Sequence, residues 1–268
     1  MVRRSRRPSL ARPEPFLRSL VLVRERVPSF DHYPFDIPAL RALTKLDFNP
    51  AVTIFVGENG SGKSTLVEAI AVAAGFNPEG GSRNFNFETR RSDSPLFEAI
   101  RLVRGIRRPR TGFFLRAESF YNVATEVERL DSAPSFSGPL APVYGGVSLH
   151  ERSHGESFLA LAVYRFFANG LYVLDEPEAA LSPQNCLTLL LRMHQLVEQG
   201  AQFVLATHSP LIMAYPGATI YVLDGTGAHA TGFDDVEHVR LTRDFLAAPE
   251  SYLRHLRDAA QEPEPGYS

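Results

Sequence analysis

Residues 52–65, VTIFVGENGSGKST, constrain this chain more than any other stretch. The run 52–56 is β-branched and aromatic and reads as a buried parallel strand; it breaks into a glycine-rich turn and then an apolar-periodic helix over 66–74. The turn matches GxxxxGK[ST], with Gly57, Gly62, Lys63 and Ser64 at the fixed positions. Glycines let successive backbone N–H groups curl around phosphate oxygens without a Cβ in the way, and the following helix aims its positive end at the same anion. Gly57, Glu58, Asn59, Gly60, Ser61, Gly62, Lys63, Ser64 and Thr65 therefore form one candidate phosphate-binding loop. In it Lys63 would reach the β- and γ-phosphates and the Ser64 hydroxyl would ligate Mg2+.

Bulk properties narrow the partners. With 268 residues, 44% hydrophobic and 22% charged, the chain can bury a sizeable core. A net charge of −2 advertises no general affinity for nucleic acid, so any such binding needs a local patch. Cys186 is the only cysteine, which rules out an intrachain disulfide and suits a reducing cytosol. No stretch approaches the roughly 20 apolar residues of a membrane span, and the arginine-rich start (Arg3, Arg4, Arg6, Arg7) lacks a signal-peptide core. A cytoplasmic protein with a solvated basic tail is expected.

Along the chain, strands are expected at 16–24, 84–89, 112–118, 171–175, 202–207 and 219–223. Helices are expected at 95–104, 120–130, 155–168, 184–199, 234–246 and 251–259, the last two split by Pro249; Gly75 should stop the helix after the phosphate loop. Residues 132–146 form a long Pro/Ser/Gly-rich loop. Strands alternating with helices imply an α/β fold with a mostly parallel sheet covered on both faces, and the stretch 76–154 departs from that rhythm.

Three further segments carry chemistry. LYVLDEPE, 171–178, brings Asp175 and Glu176 to the carboxyl edge of the sheet, where open α/β sheets bind ligands. Asp175 can hold Mg2+, directly or through water, and Glu176 can orient or deprotonate the water that attacks the γ-phosphate. QFVLATHSP, 202–210, delivers His208 to the same edge, where an imidazole can donate a hydrogen bond to the γ-phosphate. LHERSHGESF, 149–158, puts Ser153 and Gly155 at the start of an apolar helix; its free N–H groups can bind an anion, or Ser153 or Ser157 can cap it.

GENGSGKST, SHGES, LDEPEAALSP and THSP, in that order, resemble the nucleotide-binding head of the ABC ATPase superfamily. The resemblance covers about residues 16–257 and is to stand-alone bacterial ATPases of the AAA type, relatives of SMC and recombination-repair heads. It implies a P-loop NTPase with an inserted second lobe of antiparallel strands and helices. The implied layout is a basic tail over 1–15, one ATPase domain over 16–260 (core lobe about 16–75 and 170–260, inserted lobe about 76–169), and a tail over 261–268. By motif, 57–65 is the Walker A loop, Asp175 and Glu176 the Walker B pair, His208 the switch histidine and 178–182 the D-loop. Ser153, His154, Gly155 and Glu156 stand at the signature position, where LSGGQ is usual; His154 replaces the first glycine and Glu156 the glutamine. Glu118 stands where a glutamine would contact Mg2+ or water, and Tyr33 or Phe35 is placed to stack on adenine or to pack.

The resemblance implies ATP and Mg2+ as ligands and an ATP-dependent homodimer in which each signature loop completes the partner's site. Arg101, Arg104, Arg107, Arg108 and Arg110, with Arg83, Arg90 and Arg91, form either a solvated basic loop or a contact to a nucleic-acid backbone. Three roles share this chemistry: a soluble ATPase switch in DNA maintenance or defence, the ATPase subunit of an ABC transporter, and a nucleotide-gated protein-binding module with low turnover.

Overall fold

From its N-terminal end the chain lays down β1 (Leu17–Leu22), α1 (Pro38–Arg41), β2 (Lys45–Asp47), β3 (Val52–Val56) and α2 (Lys63–Ala74). Next come α3 (Leu96–Ala99), β4 (Ile100–Arg104), β5 (Thr111–Arg116) and α4 (His154–Arg165). They are followed by β6 (Gly170–Asp175), α5 (Pro183–Glu198), β7 (Gln202–Ala206), α6 (Pro210–Met213), β8 (Thr219–Asp224) and β9 (Gly227–Thr231). The helices α7 (Glu237–Ala247) and α8 (Pro249–Ala259) follow. The computed structural model describes residues 14–81, 94–116 and 154–259. The expected strand at 84–89, helix at 120–130 and loop at 132–146 lie outside the described residues, as do residues 1–13 of the N-terminal tail and the tail over 261–268.

Six strands form one sheet in the order β5-β6-β7-β3-β8-β9, parallel throughout except for the β8–β9 hairpin. Every residue of β3, β6 and β7 is buried, as expected of parallel strands covered on both faces. Period-two alternation sorts them: Val52, Ile54, Tyr172, Leu174, Phe203 and Leu205 pack with α4 and α5 on one face. Phe55, Leu171, Val173 and Val204 pack with α2 and β1 on the other. A second, antiparallel sheet, β2-β1-β4, covers that second face. A largely parallel sheet beside a separate antiparallel one is the mixed α/β architecture that the sequence resemblance implies. The antiparallel strands come from both sides of the boundary expected near residue 76, and β5, within 76–169, joins the parallel sheet.

The buried amide of Gln202 fastens β1 to the parallel sheet. Its Oε1 accepts the Leu17 N–H at 2.9 Å, and its Nε2 donates to the Leu17 and Asn49 carbonyls, each at 2.9 Å. Two sequence expectations need correction. Residues 95–104 are not one helix: α3 ends at Ala99, and β4 pairs antiparallel with β1. Ile100 turns inward while Arg101 and Val103 are exposed, a period-two pattern hidden among residues that tolerate a helix. The polar strand β9 was also missed, because Gly227, His229 and Thr231 give no apolar alternation.

Candidate functional site

The candidate phosphate loop is shaped by glycines. Gly57, at φ +150°, lies so close to β8 that a Cβ there would sit 2.3 Å from the Leu223 carbonyl oxygen. Gly62, at φ +93°, is the left-handed residue from which α2 starts. At the first position of α2, Lys63 turns its ammonium back into the loop, donating to the Gly57 and Glu58 carbonyls at 2.9 and 2.8 Å. Burial pushes its pKa down, while Glu176, Asp175 and Glu178 pull the other way.

Strand order brings the remaining groups in. β7 lies between β3 and β6, so the ends of these strands place Asp175, Glu176 and His208 beside one another at the carboxyl edge. Asp175, 6% exposed, ends β6. Glu176 adopts a left-handed conformation, φ 48° and ψ 53°, which a β-carbon makes costly by about 1 kcal/mol or more. Its N–H donates to Ala206 O at 3.0 Å, and its Oε1 lies 3.4 Å from His208 Nε2. Burial, then the neighbouring Lys63, holds the His208 pKa below the ordinary histidine value.

A cavity of about 980 Å3 opens beside the loop, lined by Gly57 to Ser61, His208, His238 and Leu241 among others. That is room for a nucleotide-sized ligand. Among the described residues no group of three or more His, Cys, Asp or Glu side chains could hold a metal alone. The donor set, one hydroxyl at Ser64 and one carboxylate at Asp175, suits Mg2+, which takes few protein ligands and completes its shell from water and phosphate.

Other expected residues fall differently. Phe35 is buried in the core, whereas Tyr33 is exposed and its hydroxyl meets Thr65 Oγ1 at 3.1 Å. Gly155 and Glu156 lie in the first turn of α4, and neither lines the cavity. A Cβ on Gly155 would sit 2.6 Å from Ala180 O, so glycine is required there by packing within the chain. Ser153 and Glu118 lie outside the described residues.

Sequence reasoning overlooked Arg116, Glu68 and His238. Arg116 ends β5 in register with Asp175, its Nε 3.6 Å from Asp175 Oδ2 and its other end 2.5 Å from Glu68 Oε2 on α2. The second Glu68 oxygen accepts the Ser94 N–H. A charged residue closing the apolar run GFFLR was the available signal. His238 of α7 faces His208, with ring centroids 6.1 Å apart, and nothing in its local sequence distinguishes it.

Family models and curated relatives match parts of this chain. An "AAA domain" family model matches residues 35–111, and a second, described as "AAA domain, putative AbiEii toxin, Type IV TA system", matches 141–214. Each match covers less than half of the chain, which in those stretches is similar to AAA-type domains. The chain is also similar to ABC ATP-binding proteins, among them the macrolide export ATP-binding/permease protein MacB of Marinobacter nauticus. That relative is 25% identical over 233 residues, covering 80% of this chain and 35% of its own length. The chain thus spans about a third of this curated relative. Solved structures similar to it include the SMC head domain from Thermotoga maritima, with 16% identity, TM-score 0.42, and coverage of 81% of this chain and 98% of that one. A nucleotide-free ATP-binding cassette from an ABC transporter matches at 17% identity and TM-score 0.42, over 71% and 85% of the two chains. The described residues contain no helix long and apolar enough to cross a membrane.

Proposed function

We propose that this chain binds Mg-ATP in the 57–65 loop and hydrolyses it, using Glu176 to orient or deprotonate the attacking water and His208 to contact the γ-phosphate. The observation that carries this reading is convergence. Asp175, Glu176 and His208 follow two adjacent strands and meet Lys63 at the start of α2, whose ammonium feels the charges of Glu176 and Asp175, with Glu176 Oε1 3.4 Å from His208 Nε2. Lys63 supplies a charge to the phosphates, Asp175 and Ser64 hold Mg2+, and Tyr33 is the exposed aromatic available to adenine. Mg2+ would neutralise charge developing on the phosphate oxygens. Phosphate release measured with Mg-ATP, and its loss in Lys63→Ala, tests the reading; release that survives the substitution refutes it.

The loop's open side invites completion by a second copy. We propose an ATP-dependent two-fold homodimer in which Ser153, Gly155 and Glu156 of one protomer approach the nucleotide of the other. Glu176→Gln with saturating Mg-ATP should sediment as a dimer; a monomer under those conditions sinks this model.

Two settings remain for such a switch. In DNA maintenance or defence, the exposed Arg101, Arg108 and Arg110 would touch phosphates, whereas Arg104 and Arg107 are engaged in the fold, donating to Ala73 O and to Asn169. Hydrolysis stimulated by duplex DNA and falling steeply with salt is expected there. The similarity to an export ATP-binding/permease protein supports the second setting, the ATPase subunit of an ABC transporter, for which co-purification with membranes is the test. A nucleotide-gated binding module would instead show negligible phosphate release.

A further inference from the structure

We propose that Glu178 is a positioning residue that fixes the backbone of His208, and so sets the distance between that imidazole and Glu176; this rests on the ATPase reading of the site. Glu178 Oε1 accepts the N–H of His208 at 2.5 Å and of Ser209 at 3.1 Å. Those amides lie just past the end of β7, beyond its parallel ladder. The following Pro210 has no N–H to give. A side chain thus does for this loop what a neighbouring strand does for β7, with help from Thr207 Oγ1, which also accepts the Ser209 N–H.

Glu178 is well placed because it belongs to the same turn as Glu176. That turn, Pro177–Ala180, is 3₁₀, with buried Pro177 fixing its first step. The Glu176 N–H donates to Ala206 O on β7. The segment 176–178 is therefore tied to the segment 206–209 at both ends, and the 3.4 Å approach of Glu176 to His208 lies between the ties. Loosening the outer tie lets His208 drift without touching Lys63, Asp175 or Glu176. The work asked of Glu178 is reach and accepting capacity. A glutamine carbonyl provides both; an aspartate keeps the charge and falls one methylene short.

The test compares Glu178→Gln with Glu178→Asp, reading kcat and KM for Mg-ATP, and deuterium uptake of residues 207–213 in nucleotide-free protein. Glu178→Asp should lower kcat about a hundredfold, because a displacement of about 1 Å at a reacting group is that costly, with KM changed far less. Glu178→Gln, isosteric and therefore expected to fold, should restore kcat to within about threefold of wild type, since a neutral acceptor forms somewhat weaker bonds. Uptake should quicken in Glu178→Asp and not in Glu178→Gln. The proposal is overturned if both variants match wild type, or if Glu178→Gln loses as much as or more than Glu178→Asp, which would assign the role to charge. A wild-type protein that releases no phosphate overturns the ATPase reading instead, and uptake alone then decides whether Glu178 holds the loop.

Discussion

Replacing Arg116 with methionine tests the charge arrangement behind the site. The guanidinium bridges two nearly buried carboxylates, Glu68 and Asp175, whose side chains are 9% and 7% exposed, and is itself 22% exposed. Without it the two anions keep their burial and lose their shared cation; Glu68 retains the Ser94 N–H. Removing one partner of a buried pair costs about 3–5 kcal/mol. The partial exposure of Arg116 argues for the lower end, about 3 kcal/mol, since solvent screens part of the attraction. At a few degrees per kcal/mol for a chain of this size, the melting temperature should fall by about 6 °C. Adding Glu68→Gln removes one stranded charge, so the double variant should recover to within about 1 kcal/mol of wild type. Urea unfolding at pH 7 on wild type, both single variants and the double variant closes the cycle. A loss below 1 kcal/mol in Arg116→Met, or a double variant no more stable than that single one, would refute the reasoning.

Glu176→Gln should lower phosphate release by about two to four orders of magnitude while Mg-ATP binding persists, because it removes the candidate base and little else; rapid-quench and equilibrium binding measurements separate the two. Gly57→Ala should weaken ATP binding at least tenfold and cost on the order of 2 kcal/mol in urea unfolding, as its Cβ would sit 2.3 Å from Leu223 O at a φ of +150°. For His208, burial lowers the folded-state pKa below the ordinary 6.5, so the unfolded chain takes up the proton first. The cost is absent above about pH 6.5 and grows as pH falls toward the lower folded value; thermal melting from pH 7.5 to 5 should be flatter in His208→Gln than in wild type.

The parallel sheet was legible because a strand buried on both faces leaves an unbroken apolar run, and VTIFV, LYVLD and QFVLA are such runs. The antiparallel layer was harder to read. β4 is a five-residue strand whose inward side offers only Ile100 and the half-buried Leu102. A period of two over so short a stretch competes poorly with the helical propensity of its neighbours. β9 exists because a turn at Asp224 folds it back on β8: the Asp224 carboxylate accepts the N–H groups of Thr226 and Gly227, a local signal carried by turn residues alone.

The candidate site divides the same way. Residues whose type is dictated by their own loop, Gly57, Gly62 and Lys63, could be read directly, and so could Asp175, Glu176 and His208, because each stands at the end of an apolar strand. Arg116 and Glu178 could not. Their partners lie across strand register or across a loop crossing, as with Arg116 beside Asp175 and Glu178 beneath His208. Yet the register that hides them also makes their placement firm. Once β5, β6 and β7 pair in parallel, the last residues of β5 and β6 meet and the turn after β6 reaches the loop after β7. Supporting residues of this kind therefore become predictable when strand order is known, by asking which polar side chain one or two positions from a strand end can satisfy the neighbouring strand's unpaired amides.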